Sequence, residues 1–265
     1  MRQPTGFEST LHPTHVCKLN KAIYVPKQSP RVWYNELKNH LLALGFIKYE
    51  FDASLFILYK SGVTVYIIVY VDDIIVNGNQ PQTVKSTIDA LSSRFSLKDL
   101  GLLHYFLGVE VTQTADGLLI SQHKYIKDLL QDVNMAECKG VLTPITSTCT
   151  FETSHEDSKV DGTLYRRVIG KLHYMFFTRP DIAFAISKLS QFMHQPGVSH
   201  WKVVKRLLRY LCHTSHIGIK LAKKSTAQLV AYSDSDWASD PLDRTSITGY
   251  IVYLGDSFIM YLLPC

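Results

Sequence analysis

Apolar positions along the chain follow two rhythms, one of period 3.6 and one of period 2, and each marks an element. In SPRVWYNELKNHLLALGF (29–46), Val32, Leu37, Leu41 and Leu44 share a helical stripe. Ser29 is the N-cap candidate, Pro30 suits the first helical position and Gly45 ends the segment. Two β-type runs follow, LFILYK (55–60) and VTVYIIVYV (63–71), separated by the turn signal Ser61-Gly62, and DIIVNGN (73–79) is the return strand. The polar stretch from Pro81 to Arg94 reads as a helix. YFLGVEVTQTADGLLISQ (105–122) reads as a hairpin turning at Asp116-Gly117, and HKYIKDLLQDVN (123–134) as an amphipathic helix. Residues 137–162 are rich in Thr, Ser and Lys and read as a linker. Three helical segments come next, Leu164 to Phe177, Asp181 to His194 and Ser199 to His213, punctuated by Pro180 and Pro196. The chain then returns to strands in IGIKL, QLVAYSDSDW and TGYIVYLG. No internal repeat interrupts this order, and it predicts an α+β fold.

Composition supports a core-forming protein: 46% of the 265 residues are hydrophobic and 19% charged. The five cysteines (17, 138, 149, 212, 265) are widely spaced, with no zinc-ligand or thioredoxin-type pair, which argues for a reducing compartment. The apolar run near Val63 is too short to span a membrane and the N-terminus has no apolar signal region, so a cytoplasmic or nuclear protein without membrane partners is expected. The net charge of +5 is unevenly spread. From Asp161 to Lys224 there are 12 Lys and Arg against 2 Asp and Glu, a segregation that suits a polyanionic partner. The eleven histidines show no metal-ligand motif.

Asp72 and Asp73 stand out because they interrupt an apolar β run. Aspartates are common in turns, so a plain turn is one reading. The flanking runs are continuously apolar, which predicts strands covered on both faces. Two carboxylates at a hairpin tip can also share a divalent cation, whose charge removes their mutual repulsion. Mg²⁺ suits such a place, since it binds through one or two carboxylates plus substrate phosphates. In SHWKVVKRLLRYLCHT (199–214), Trp201, Val204, Leu208 and Leu211 form one helical face and Lys202, Lys205, Arg206, Arg209 and His213 another. That second face reads as a solvated basic side or as a phosphate-tracking one.

The quartet YVDD (70–73) between apolar strands resembles the catalytic hairpin of reverse transcriptases. KLNKAIYVPKQSPRVWY, YVDDIIVNGN, FSLKDLGLLHYFLGVEV, GLLISQHKYIKDLL, LYRRVIGKLHYMFFTRPDIAFAISKLSQFMH, VKRLLRYL and LVAYSDSDWASD follow in the order seen in the pol polyprotein of copia-type retrotransposons. The resemblance covers nearly the whole chain. It implies a partial fingers and palm region at 1–136 with the YVDD and primer-grip-like hairpins, a linker at 137–162, a basic helical thumb or connection region at 163–224, and the start of an RNase H-like segment at 225–265.

The same resemblance implies roles. Asp72 and Asp73 correspond to the catalytic, metal-binding pair, with Mg²⁺ or Mn²⁺ as cofactor. Gln28, Pro30, Arg31 and Tyr70 correspond to nucleotide- and substrate-binding positions, and Leu107 and Gly108 to the primer grip. Lys98 falls where a proton donor to pyrophosphate would stand, or is a solvated charge after a helix. Asp234 corresponds to a first RNase H-like aspartate, and Lys202, Lys205, Arg206 and Arg209 to nucleic-acid contacts. The implied partners are an RNA template, a DNA primer and dNTPs. The family's further catalytic aspartate precedes a Q-P-x-G-F stretch, here Gln3, Pro4, Gly6 and Phe7, so two of three expected carboxylates fall in the chain; Asp52 is a possible substitute within FDASLF. Val25 and Pro26 depart from the family's Y-G-L-K-Q, and the tail SFIMYLLPC departs from its continuation. The expectation is a reverse transcriptase fragment with little or no activity alone. The rival readings are a non-catalytic nucleic-acid-binding remnant and a nuclease built on Asp234 and Asp236.

Overall fold

The computed structural model describes residues 2–18, 27–146, 160–223, 226–237, 246 and 248–262. Val25, Pro26 and most of the second half of the expected linker lie outside these residues. The chain forms two compact units, Met1–Leu102 and Leu103–Cys265. The elements mix helices with sheets in which every strand pairing is antiparallel among the described residues, an α+β architecture.

In the first unit, helix α1 (Ser29–Ala43) and helix α2 (Pro81–Arg94) pack on a sheet of four strands in sequence order. The strands are β1 (Ile47–Lys48), β2 (Leu55–Lys60), β3 (Val63–Tyr70) and β4 (Asp73–Gly78). Gln28, not Ser29, caps α1; Ser29 is drawn into the first turn and buried, because the chain is already helical at Gln28. Leu37 and Leu41 of the expected stripe reach the core, whereas Val32 and Leu44 stay exposed at the helix ends, beyond the edge of the sheet-facing surface. Along β3, Val65, Ile67 and Val69 are buried and Tyr66, Ile68 and Tyr70 are exposed. The expectation that both faces of this run are covered is therefore corrected. An unbroken apolar run here serves one core face, and the other face is an open apolar surface.

The β2–β3 and β3–β4 hairpins close with two-residue loops, which fixes their register. Ser61 and Gly62 both have positive φ between Lys60 and Val63. Tyr70 pairs directly with Asp73, so Val71 and Asp72 alone make the β3–β4 turn. Val71 has φ of 51°, a left-handed conformation that a β-branched residue strongly disfavours.

The second unit pairs β5 (Tyr105–Phe106), β6 (Val109–Thr114), β7 (Gly117–Ser121) and β8 (Ile219–Ala222) into one sheet. The β6–β7 turn is Ala115-Asp116, one residue earlier than expected, because Gly117 already pairs with Thr114. Helices α3 (His123–Asp132), α4 (Gly162–His173), α5 (Ala183–Ser190) and α6 (Val198–His213) share a core that includes Ile126, Tyr165, Ile169, Leu172, Ile186, Val204, Leu208 and Leu211. The expected long helix from Leu164 breaks after His173 into a 3₁₀ turn at Tyr174–Phe177. Asp161 caps α4, accepting from the backbone N–H groups of Thr163 at 2.8 Å and Leu164 at 3.2 Å. A third sheet, in the order β11-β10-β9, is built from β9 (Leu229–Ser235), β10 (Thr248–Leu254) and β11 (Ser257–Leu262). Strand β11 is formed by the C-terminal run SFIMYL.

Arg179 is wholly buried in this unit. Its guanidinium forks onto Asp181, with Nε donating to Oδ1 at 2.9 Å and Nη2 to Oδ2 at 2.7 Å. It also donates to the Thr214 carbonyl at 2.9 Å and the Thr214 hydroxyl at 2.7 Å, which ties the turn before α5 to the end of α6. The Tyr210 hydroxyl donates to Asp181 Oδ2 at 2.8 Å. Burial alone would raise the Asp181 carboxyl, but hydrogen bonds and charge from Arg179, with the Tyr210 bond, hold it below its ordinary value.

Replacing Arg179 by Ala strands a half-buried carboxylate and lowers unfolding free energy by roughly 3–5 kcal/mol, read by urea denaturation. A depressed carboxyl contributes stability above the unfolded aspartate value of 3.8 and loses it as pH falls below. The acid-side loss of stability is accordingly shallower in Arg179→Ala than in the parent. Val71→Asn relieves left-handed strain without adding the chain entropy of glycine, and raises stability by roughly 1 kcal/mol in the same assay.

Candidate active site

The β3–β4 turn presents both carboxylates at one end of the first sheet. Asp72 is the second loop residue and Asp73 the first of β4, and both are exposed. Directly paired residues point to the same face, so Tyr70 and Asp73 lie together, opposite the face covered by α1 and α2. Ile68–Ile75 and Tyr66–Asn77 continue that outer face away from the turn, and Tyr59, paired with Thr64, extends it onto β2. Among the described residues neither the Asp72 nor the Asp73 carboxylate makes a hydrogen bond or ion pair.

Helix α1 starts at this same end. The Tyr34 hydroxyl donates to the Ala53 carbonyl at 2.5 Å, and the next carbonyl, that of Ser54, accepts from Val69 N–H at 2.9 Å. Gly45, just past the helix, packs instead near Leu58, further along β2. The helix therefore runs away from the carboxylates, and exposed Gln28, Pro30 and Arg31 in its first turn lie toward their end of the sheet.

Asp52 occupies that end too, but it is engaged. Its Oδ1 accepts from the Ser54 backbone N–H at 2.8 Å and from the Ser54 hydroxyl at 2.7 Å, and these bonds lower its carboxyl below the ordinary value. This is an Asx turn that starts β2. Among the described residues no three His, Cys, Asp or Glu side chains gather as a metal-binding group, so Asp52 does not complete a triad with Asp72 and Asp73. The pair itself has the hard oxygen donors and open surroundings that Mg²⁺ or Mn²⁺ takes when substrate phosphates complete its shell. Residues 2–18 are organised by Gln3, whose Nε2 donates to the carbonyls of His12 at 2.9 Å and His15 at 2.8 Å.

The remaining implied positions lie elsewhere. Lys98 is exposed in the first unit. Leu107 and Gly108 form the tight β5–β6 turn of the second unit, with φ of 49° and 78°. The Leu107 carbonyl accepts from the Tyr174 hydroxyl, and a side chain on Gly108 would press on the Tyr174 ring at 3.3 Å. On α6, Lys202 and Lys205 are exposed, whereas Arg206 donates to Thr143 Oγ1 at 2.8 Å and Arg209 to the Lys139 carbonyl at 2.6 Å. Two of the four basic positions thus do structural work. Asp234 is exposed near the end of β9, opposite Gly249. The tyrosine-lined outer face and the Tyr34 anchor went unread in the sequence. The signal for the face was present as alternate tyrosines at 66 and 70 with the aspartates next in line.

Comparison with known proteins closes the question of kinship. Residues 1–147 match the family described as reverse transcriptase (RNA-dependent DNA polymerase). The chain is 49% identical over 255 residues to the retrovirus-related Pol polyprotein from transposon RE1 of Arabidopsis thaliana, covering 96% of this chain and 17% of that protein. It is 48% identical over 256 residues to the corresponding polyprotein from transposon RE2 of the same plant, covering 96% and 18%. It is 32% identical over 257 residues to a putative transposon Ty5-1 protein of Saccharomyces cerevisiae, covering 96% and 83%. The chain spans less than a fifth of the length of the two polyproteins. No solved structure matches it. With its YVDD turn at the tip of an antiparallel hairpin, the chain belongs to the reverse transcriptase family, in the form carried by the Pol polyproteins of copia-type retrotransposons.

Proposed function

We propose that the chain carries the polymerase centre of an RNA-directed DNA polymerase, with Asp72 and Asp73 as its metal-binding carboxylates. The observation that supports this most is the two-residue turn that sets two unpaired, exposed carboxylates beside the outer face of Tyr70. A divalent cation held there would neutralise nucleotide phosphates and polarise the α-phosphate for attack by a primer hydroxyl. In this reading Asp72 and Asp73 supply oxygen ligands. Tyr70 flanks the reacting nucleotide, with Tyr66 and Tyr59 as aromatic surface for sugar or base contact. Gln28, Pro30 and Arg31 meet the nucleotide or template from the first turn of α1. The Leu107–Gly108 turn, held by Tyr174, supports the primer strand. Residues 1–136 then correspond to partial fingers and palm, 163–224 to the thumb or connection, and 225–265 to the start of an RNase H-like segment marked by Asp234.

A second reading, a nucleic-acid-binding remnant without catalysis, is favoured by one observation: among the described residues only two carboxylates meet at the turn. The two readings share the RNA–DNA partner and differ in turnover. The 265-residue chain supplied alone with Mg²⁺ or Mn²⁺, an RNA template, a DNA primer and dNTPs is expected to extend the primer at or near background. Losing one member of a catalytic unit costs orders of magnitude, and the losses do not add. Robust extension that vanishes in Asp72→Ala would show a complete site and overturn the two-carboxylate account. Binding is expected even without turnover. Fluorescence anisotropy should show weak affinity for an RNA–DNA duplex with little sequence preference and a steep decline with salt. Lys202→Glu with Lys205→Glu should weaken it several-fold; unchanged affinity would assign these lysines to a solvated face.

A further inference from the structure

Residues 137–146 were expected to open a linker, yet together with Met135 they form a strap along α6. Met135, Cys138 and Ile145 pack against the helical core. Strap numbering rises as helix numbering falls: Cys138 meets Cys212, Lys139 accepts from Arg209 and Thr143 from Arg206. The approach is close. A Cβ on Gly140 would fall 2.7 Å from the Cβ of His213.

Two cysteines meet at the start of this contact. The Cys212 thiol donates to the Cys138 carbonyl at 3.6 Å. Both are free and half-buried, from positions 74 residues apart in the chain. We propose that Cys138 and Cys212 form a reversible disulfide that fastens the strap to α6. A thiol that already reaches the other cysteine's backbone needs side-chain rotation and little backbone movement to bring the two sulfurs to bonding distance. With a glutathione-type disulfide as oxidant, one cysteine thiolate attacks it and releases one glutathione thiolate. The second cysteine thiolate then attacks the mixed disulfide and releases another. The two cysteines lose two protons and two electrons, and the oxidant becomes two thiols. Burial, followed by the neighbouring thiol, raises the Cys138 pKa, so closure should quicken as pH rises above neutral. The bond would also keep Arg206 and Arg209 engaged by the strap, leaving Lys202 and Lys205 as the exposed basic pair. The inference stands apart from the polymerase reading, because it uses neither Asp72 nor Asp73.

The test uses the full chain with Cys17, Cys149 and Cys265 changed to Ser, incubated with oxidised glutathione and mapped by non-reducing peptide mass spectrometry. The expected product is one cross-linked peptide pair joining positions 138 and 212, lighter by two hydrogen atoms and restored by dithiothreitol. Its melting temperature should rise by roughly 5–10 °C over the reduced form, an increase absent in Cys212→Ser. If the triple variant does not fold, the same mapping on the unsubstituted chain reads the same linkage. Glutathione adducts without the cross-link, or two thiols left unmodified, would overturn the proposal.

Discussion

The arrangement of the candidate site depends on one constraint, the direct pairing of Tyr70 with Asp73 across a two-residue turn. Burial of Val65, Ile67 and Val69 fixes which face of β3 enters the core. A one-residue slip would carry these side chains into water and the tyrosines inward, so register is strongly specified. With register set, Val71 and Asp72 have no freedom to relax, and Val71 accepts a left-handed backbone. The strain is local and the core over-determines it, which is how strained turns persist at functional sites. The position of the carboxylates is thus a consequence of hydrophobic packing on the opposite face of the sheet.

The second unit is organised around a different interaction. Arg179 has no exposure, and its hydrogen bonds join Asp181, before α5, to Thr214, after α6. A buried guanidinium of this kind costs much desolvation and is tolerated only when its donors are met. The strap over α6 uses the same chemistry at lower burial, with Arg206 and Arg209 serving as donors to Thr143 and Lys139. Basic residues in this region therefore divide into those that hold the fold and those, Lys202 and Lys205, that face solvent. A local charge excess alone does not separate the two groups.

That division shows what the sequence made legible. Helix α2, strands β2 to β4 and the hairpin that carries Asp72 and Asp73 were readable because turn chemistry and apolar runs coincide there, although the turn itself falls one residue early, at Val71 and Asp72. Caps were less readable: Gln28 displaces Ser29 at α1, and Asp161, seen only as a charge, caps α4. Exposure of the outer face of β3 was missed because an unbroken apolar run has the same pattern whether one face or both are covered. The strap was missed because its packing partners on α6 lie more than 60 residues away, a separation that local periodicity does not report. Strand β11 was missed because the tail was read only against the resembled family, although SFIMYL is itself a β-type run after Gly255-Asp256.

The central claim is that the β3–β4 turn is a divalent-cation site made by Asp72 and Asp73. Its most direct test is a Mn²⁺ titration of isotope-labelled chain followed by amide NMR. The account predicts paramagnetic broadening that begins at residues 70–75, is competed by Mg²⁺, and is lost in the Asp72→Asn, Asp73→Asn double variant. Broadening that begins elsewhere, or that persists in the double variant, would contradict it.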